Sequence, residues 1–168
     1  MHLKTEPEPV NCRADLQGTE SCTCFNLRKA ARAVTQLFDA GLKSTGIRST
    51  QFALLVVIAK LAPVSVGSLA RTLVIDRTTL SRSLRLMQTR EFIAISPRST
   101  ERRRFVTLRP TGWSALARSL PSWRDTQRRF VDEVGDHYWN AMQKELAKLS
   151  NLTLADQKVR RGANSTAY

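Results

Sequence analysis

From Cys24 onward the apolar residues keep a helical step: Leu27, Ala31, Val34, Phe38 and Leu42 recur at intervals of three and four, while Arg28, Lys29 and Arg32 fall elsewhere. Gly46 ends that run. The next stretch, from Phe52 to Leu61, is apolar nearly all round, which predicts a buried helix capped by Ser49 or Thr50 and stopped by Pro63. SVGSLARTL then predicts a short helix, with Ser65 accepting from orphan N–H groups at its start and Val66, Leu69 and Leu73 facing the core. Asp76 opens a further helix, DRTTLSRSLRLMQTR, whose Leu80, Leu84 and Met87 define one buried stripe. Thr78, Ser81, Arg82 and Arg85 fall on the opposite face. FIAIS and FVTL are short β-type runs on either side of the Arg-rich PRSTERRR, the pattern of a hairpin with a cationic tip.

Beyond Gly112 the spacing Trp113, Leu116, Leu120, Trp123, Gln127, Phe130, Val134 predicts one long helix with a packed seam. Pro121 predicts a bend within it and Gly135 its end. A last helix uses Tyr138 or Trp139, Met142, Leu146 and Leu149, and after about Ala155 the pattern fades into a tail. Residues 1–20, with Pro7 and Pro9 and no apolar period, are expected to form a loose arm.

The elements amount to a mainly α fold with a small β-wing, a winged helix-turn-helix carrying N- and C-terminal dimerisation helices. The expected organisation is an arm (1–20), a dimerisation helix (21–45), the winged lobe (46–112), long C-terminal dimerisation helices (113–154) and a flexible tail (155–168). Dimerisation is expected because the outer helices carry more apolar surface than a small winged lobe needs, and a second copy of the chain is the simplest cover. A monomeric helical cap folded back on the lobe is the alternative.

Charge sharpens the picture. The 168 residues hold 27 Lys and Arg against 14 acids, a net of +13, so a polyanionic partner is expected. Between Arg71 and Arg109 stand ten Arg, no Lys and three acids, a concentration that a merely solvated face does not require. Arginine forks bridge guanine O6 and N7 and grip phosphate, so a hydroxyl- and arginine-bearing helix without outward carboxylates suits a major groove. The expected DNA contacts are Ser65, Thr78, Ser81, Arg82 and Arg85 from the two helices and Arg98, Arg102, Arg103 and Arg104 from the wing.

Other classes are poorly served by these residues. There is no Gly-rich phosphate loop, nucleophile elbow or metal-binding His pair, and the chain has only two His, so an enzyme, a cofactor and a metal site are not expected. The longest apolar run, FALLVVIA, is too short to span a bilayer, and the polar, proline-broken start lacks a secretory pattern; the expected location is the cytoplasm. Three Cys are then expected as free thiols, among them the C-x-C of Cys22 and Cys24 at the mouth of the first helix. A thiol at a helix N-terminus beside Arg28 and Lys29 favours the reactive thiolate, so inert thiols, redox sensing and other thiol chemistry stay open.

The order long helix, buried helix, helix-turn-helix, wing, long helix, terminal helix resembles the MarR family of bacterial transcription regulators over roughly Cys24 to Leu152. The specific stretch is LARTLVIDRTTLSRSLRLMQTREFIAISPRSTERRRFVTLRPTG, similar to the family's recognition helix, D-x-R wing signature and L-T-x-x-G strand end. Here Thr100 replaces the wing Asp and Arg109 the Thr of that last motif. The resemblance implies a wing-to-helix salt bridge between Asp76 and Arg102, and a small aromatic or anionic inducer in a cleft for which Trp113, Phe38 and Phe52 are candidate linings. CFNLRKAARAVTQLFD further resembles the OhrR-type thiol regulators, in which a Cys at this place senses peroxide; Ser49 and Phe52 stand where those carry activating tyrosines.

The function expected is therefore a DNA-binding transcription regulator, a repressor that holds a pseudo-palindromic operator as a homodimer and is released by a ligand or by thiol oxidation. A basic protein that coats DNA or RNA without sequence choice is the alternative.

Overall fold

The structure, a computed structural model, describes residues 16, 18–96 and 104–165, with side chains to Leu152. The chain divides after Gln36. In the first unit a 3-10 helix, Thr19–Ser21, leads into α1 (Thr23–Leu42), and the Asn26 side chain donates to the carbonyls of Glu20 and Cys22, fastening that entrance. Phe25, Leu27 and Val34 lie exposed along this part of α1, Phe25 at 60%.

The second unit holds the core. After α1 come a 3-10 helix (Lys43–Thr45) and Gly46 in the left-handed region, then α2 (Ser49–Leu61), β1 (Val64–Ser65), α3 (Val66–Thr72), α4 (Arg77–Thr89), β2 (Ile93–Ile95), β3 (Phe105–Leu108), α5 (Pro110–Val134) and α6 (Asp136–Ser165). Leu55 and Ile58 of α2, Leu69 of α3, Leu80 and Met87 of α4, Ile93, Val106 and Leu116 close over one another, so the apolar stripes read from the sequence meet in one cluster. The start of α2 differs from expectation. Arg48 is the N-cap, Gln51 Oε1 accepts from its N–H, and Asp39 of α1 accepts from both the N–H and the hydroxyl of Ser49. A carboxylate from the preceding helix outcompetes a local hydroxyl because the positive end of α2 favours an anion.

The sheet has one strand more than the hairpin expected. Val64 pairs with Val106 and Ser65 with Phe105, so β1 joins β3 on the side opposite β2, in the order β1-β3-β2. Two residues are too few to leave a period-2 signal, and Pro63 beside them masks the strand further.

Both helix ends of the helix-turn-helix close with a left-handed residue that is not glycine. Val74 (φ 51°) follows α3, with Val74 N–H donating to Arg71 O and Ile75 N–H to Ala70 O; Glu91 (φ 56°) follows α4, with the matching bonds to Gln88 and Met87. A β-branched residue held there is strained by about 1–2 kcal/mol. Val74→Gly is accordingly expected to stabilise the protein by about 0.5–1 kcal/mol, the relieved strain exceeding the added unfolded-state entropy, as a rise in the urea midpoint at unchanged slope.

α5 runs unbroken through Pro121, and its buried face is not quite the seam predicted. Gly112, Ala115, Leu116, Ser119 and Thr126 are buried, whereas Trp113 is 52% exposed. Gly112 takes the inward position, which turns its neighbour outward by one helical step. Ser119 and Thr126 satisfy their hydroxyls on the carbonyls of Ala115 and Ser122, so they are buried without loss. A Cβ on Gly41 of α1 would stand 2.0 Å from Thr126 Oγ1, a contact only glycine permits. α6 continues past Ala155 to Ser165, further than the apolar pattern reaches. Trp139 meets Phe130 edge-on while Tyr138, Met142, Leu146 and Leu149 are exposed. No helix among the described residues is long and apolar enough to cross a membrane.

Candidate nucleic-acid interface

The interface is built outward from α4. Leu80, Leu84 and Met87 are buried and anchor one side of the helix; Thr78, Ser81, Arg82 and Arg85 are exposed on the other. Asp76 Oδ1 accepts from the Thr79 N–H at 2.8 Å, fixing where the helix starts. Hydrogen bonds from the Thr79 side chain and N–H hold the Asp76 carboxyl below its usual value, so the cap is an anion at neutral pH. Ser65 likewise caps α3, its Oγ accepting from the Ser68 N–H at 3.1 Å.

The wing strands set the far wall. Val66 N–H donates to Arg104 O, and Phe105 N–H donates to Ser96 Oγ while Ser96 N–H donates to Phe105 O, so Arg104 enters the sheet at a fixed height opposite α4. Between them lies a groove of about 570 Å³ lined by Arg77, Thr78, Ser81, Arg82, Arg85 and Arg104, with Gln88 at one end. Among the described residues none of these four arginines from α4 and the wing has an acid within ion-pair distance. Unpaired guanidinium groups around one groove repel one another, and a polyanion laid in it relieves that repulsion.

The residues expected from the sequence divide clearly. Thr78, Ser81, Arg82, Arg85 and Arg104 are brought together in the groove; Ser65 caps α3 beside Val66, which lines the groove, and is not itself part of the lining. Arg98, Arg102 and Arg103, and with them the Asp76 to Arg102 salt bridge, lie outside the described residues. Arg77 and Gln88 were missed: Arg77 as the first residue of α4, Gln88 as a polar position beside the buried stripe. Their signal was only their angular place on the helix, both on the flank beside Ser81 between the chosen face and the buried stripe.

The support beneath the wing explains the end of the LRPTG run. Arg109 N–H and the Thr111 hydroxyl donate to the carbonyls of Phe92 and Glu91, Arg109 lies 3.7 Å from Glu91, and the first turn of α5 closes on the Phe92 carbonyl. A Cβ on Gly112 would stand 2.0 Å from that oxygen.

Elsewhere, Cys22 and Cys24 are exposed free thiols at the start of α1. Ser49 donates its hydroxyl to Asp39, and Phe52 is buried and stacked on Trp123 at 5.6 Å, so neither position offers a hydroxyl to a thiolate. Phe52 is a core residue, and Phe38 leans on Phe130 at 6.5 Å; of the three aromatics considered for a ligand cleft only Trp113 is exposed.

A MarR family model matches residues 45–104, the span of the helix-turn-helix and the wing. The chain is similar to the M. tuberculosis transcriptional regulator MosR in complex with DNA, at 30% identity and a TM-score of 0.72, covering 80% of this chain and 97% of that one. A second MosR structure matches at 28% identity and TM-score 0.71, covering 82% and 99%. A probable transcriptional regulator from Pseudomonas aeruginosa matches at 26% identity and TM-score 0.67, covering 76% and 96%. No curated protein sequence matches the chain.

Proposed function

The chain belongs to the MarR family of transcription regulators, and from that premise we propose that it binds a pseudo-palindromic operator as a homodimer and represses transcription until a ligand or thiol oxidation releases it. The observation that carries this reading is the groove between α4 and the wing, lined by four arginines that pair with no acid among the described residues, whose one wall is a helix of a size to enter a major groove. Thr78, Ser81, Arg82 and Arg85 read base edges, and Ser65, Arg98, Arg102, Arg103 and Arg104 meet phosphates or the minor groove.

The dimer reading is supported by apolar side chains left uncovered in a single copy: Phe25, Leu27 and Val34 in the first unit, and Tyr138, Met142, Leu146 and Leu149 on α6 in the second. Two copies related by a two-fold axis place two α4 helices for half-sites about one helical turn, roughly 10 base pairs, apart or a multiple of that. Repression is the simplest consequence of such a dimer seated on a promoter. A small aromatic or anionic ligand is the first releasing signal, and oxidation of Cys24 is the second. In that step the thiolate attacks a peroxide oxygen, becomes a sulfenic acid and expels water or an alcohol once a proton is supplied.

Binding to the flanking promoter DNA and to random DNA, with and without peroxide, tests the proposal. The promoter should be preferred by roughly 10³ or more at physiological salt; a ratio near one identifies a coating protein instead. Peroxide should release DNA from the native chain and not from Cys24→Ser. Equal release from both removes Cys24 as the sensor, and release from neither leaves the ligand as the signal.

A further inference from the structure

One arginine of the basic stretch does not face the groove. Arg90, the C-cap of α4, turns back towards the start of α2: its Nη2 donates to Gly46 O at 2.9 Å and its Nη1 to Gln51 Oε1 at 3.3 Å, while its Cζ sits 5.0 Å from the centroid of the Phe92 ring. Each contact has a reason. Gly46 ends the 3-10 helix that continues α1, so its carbonyl belongs to the negative end of that helical run, where a cation is favoured. Gln51 Oε1 also accepts from the Arg48 N–H, so the same amide oxygen holds the entry of α2 and one prong of the guanidinium. One turn earlier, Asp39 of α1 accepts from the Ser49 N–H and hydroxyl, both at 2.7 Å. Asp39 thus ties the last turn of α1 to the first turn of α2, and Arg90 ties the end of α4 to Gly46 and to Gln51 of that same first turn, the two groups of bonds being linked through the backbone from Arg48 to Gln51.

We propose that Arg90 is a positioning residue for DNA recognition, a strut that sets the angle of α4 against α2 and the end of α1 and contacts no DNA itself. The proposal rests on α4 being the recognition helix. Among the described residues no hydrogen bond or ion pair holds the Arg82 or Arg85 guanidinium, whereas Arg90 spends two donors of its planar fork and its ring contact on the protein. A lysine, with a single point charge, reproduces one of these contacts and not the fork. The strut also gives a route by which a shift at the end of α1 reaches the base-reading surface, since Gly46 closes the 3-10 helix that follows α1 and Arg90, which ends α4, donates to it.

The test uses the full-length chain, a duplex enriched by the wild-type protein from a random-sequence library, and a scrambled duplex of the same length and composition. Arg90→Ala should weaken the enriched duplex about tenfold, the size of effect expected from losing a support that touches no ligand, while the scrambled duplex changes by less than about twofold. The slope of log K against log salt should stay that of the wild type. Arg90→Lys should recover part of the loss, and Gln51→Ala should produce a smaller loss that does not add to that of Arg90→Ala. Without DNA, hydrogen exchange in Arg90→Ala should rise together at residues 49–51 and 90–92, with exchange in the core of α5 unchanged. The strut is overturned if the two duplexes weaken alike with a slope shallower by about 0.9 per subunit, the signature of a lost phosphate contact, or if affinity and exchange both stay at wild-type values. A wild-type chain that enriches no duplex overturns the proposed function, and the exchange measurement then decides the strut by itself.

Discussion

Replacing Gly112 by alanine is expected to cost about 3 kcal/mol or more of stability, seen as a fall in Tm of roughly 10 °C. The added methyl would stand 2.0 Å from the carbonyl oxygen of Phe92 and 2.9 Å from its carbon. Both are backbone atoms, so no side chain can swing aside; either the first turn of α5 lifts or β2 moves. The Phe92 carbonyl already accepts from the Arg109 N–H, and the move breaks that bond as well. The same substitution at Gly67 in α3 should do the opposite. There the nearest atom to a new Cβ is the end of the Arg71 side chain at 3.9 Å, so alanine is accommodated and stabilises by up to about 1 kcal/mol through the unfolded state. Thermal melts of the two variants decide the matter, and an unchanged Tm in Gly112→Ala would show that α5 does not seat on the Phe92 carbonyl.

On DNA, Arg85→Ala and Arg104→Ala are expected to fail differently although both residues line one groove. Arg85 projects from the exposed face of α4 opposite Leu84 and Met87, where a guanidinium reaches a base edge. Its loss should cost about 1–3 kcal/mol on the operator and relax preference at one position of each half-site. Arg104 enters from the wing, with its backbone bonded to Val66, and is proposed to contact phosphate. Its loss should weaken operator and random DNA by similar factors and make the salt slope shallower by about 0.9 per subunit, the share of one released counterion. Uniform weakening by Arg85→Ala together with altered sequence preference in Arg104→Ala would reverse the roles assigned to helix and wing.

The winged lobe was legible because its signals are local. Leu80, Leu84 and Met87 share a face by spacing alone, and Ser65 and Asp76 stand where a cap belongs, each now bonded to the N–H three residues on. What the sequence concealed depends on partners far along the chain. Ser119 and Thr126 look like exposed polar positions, yet they are the buried ones, because a close helix crossing needs small side chains and their hydroxyls are satisfied within the helix. Trp113 looks like a core residue and is exposed, because Gly112 takes the inward place. Arg90 reads as one more cation of a basic stretch, and its acceptors lie 39 and 44 positions away. Periodicity reports which face of a helix is covered and is silent about what covers it.

Whether α4 lies in a major groove is decided by methylation protection of guanine N7 within the bound promoter. The N7 atom is reached from the major groove alone. Two short blocks of protected guanines, about one helical turn or a multiple of it apart and lost from each half-site in Arg85→Ala, are the expected result. Guanine N7 atoms that remain freely methylated under saturating protein, with protection confined to the minor-groove edges of adenines or spread evenly along the duplex, would contradict it.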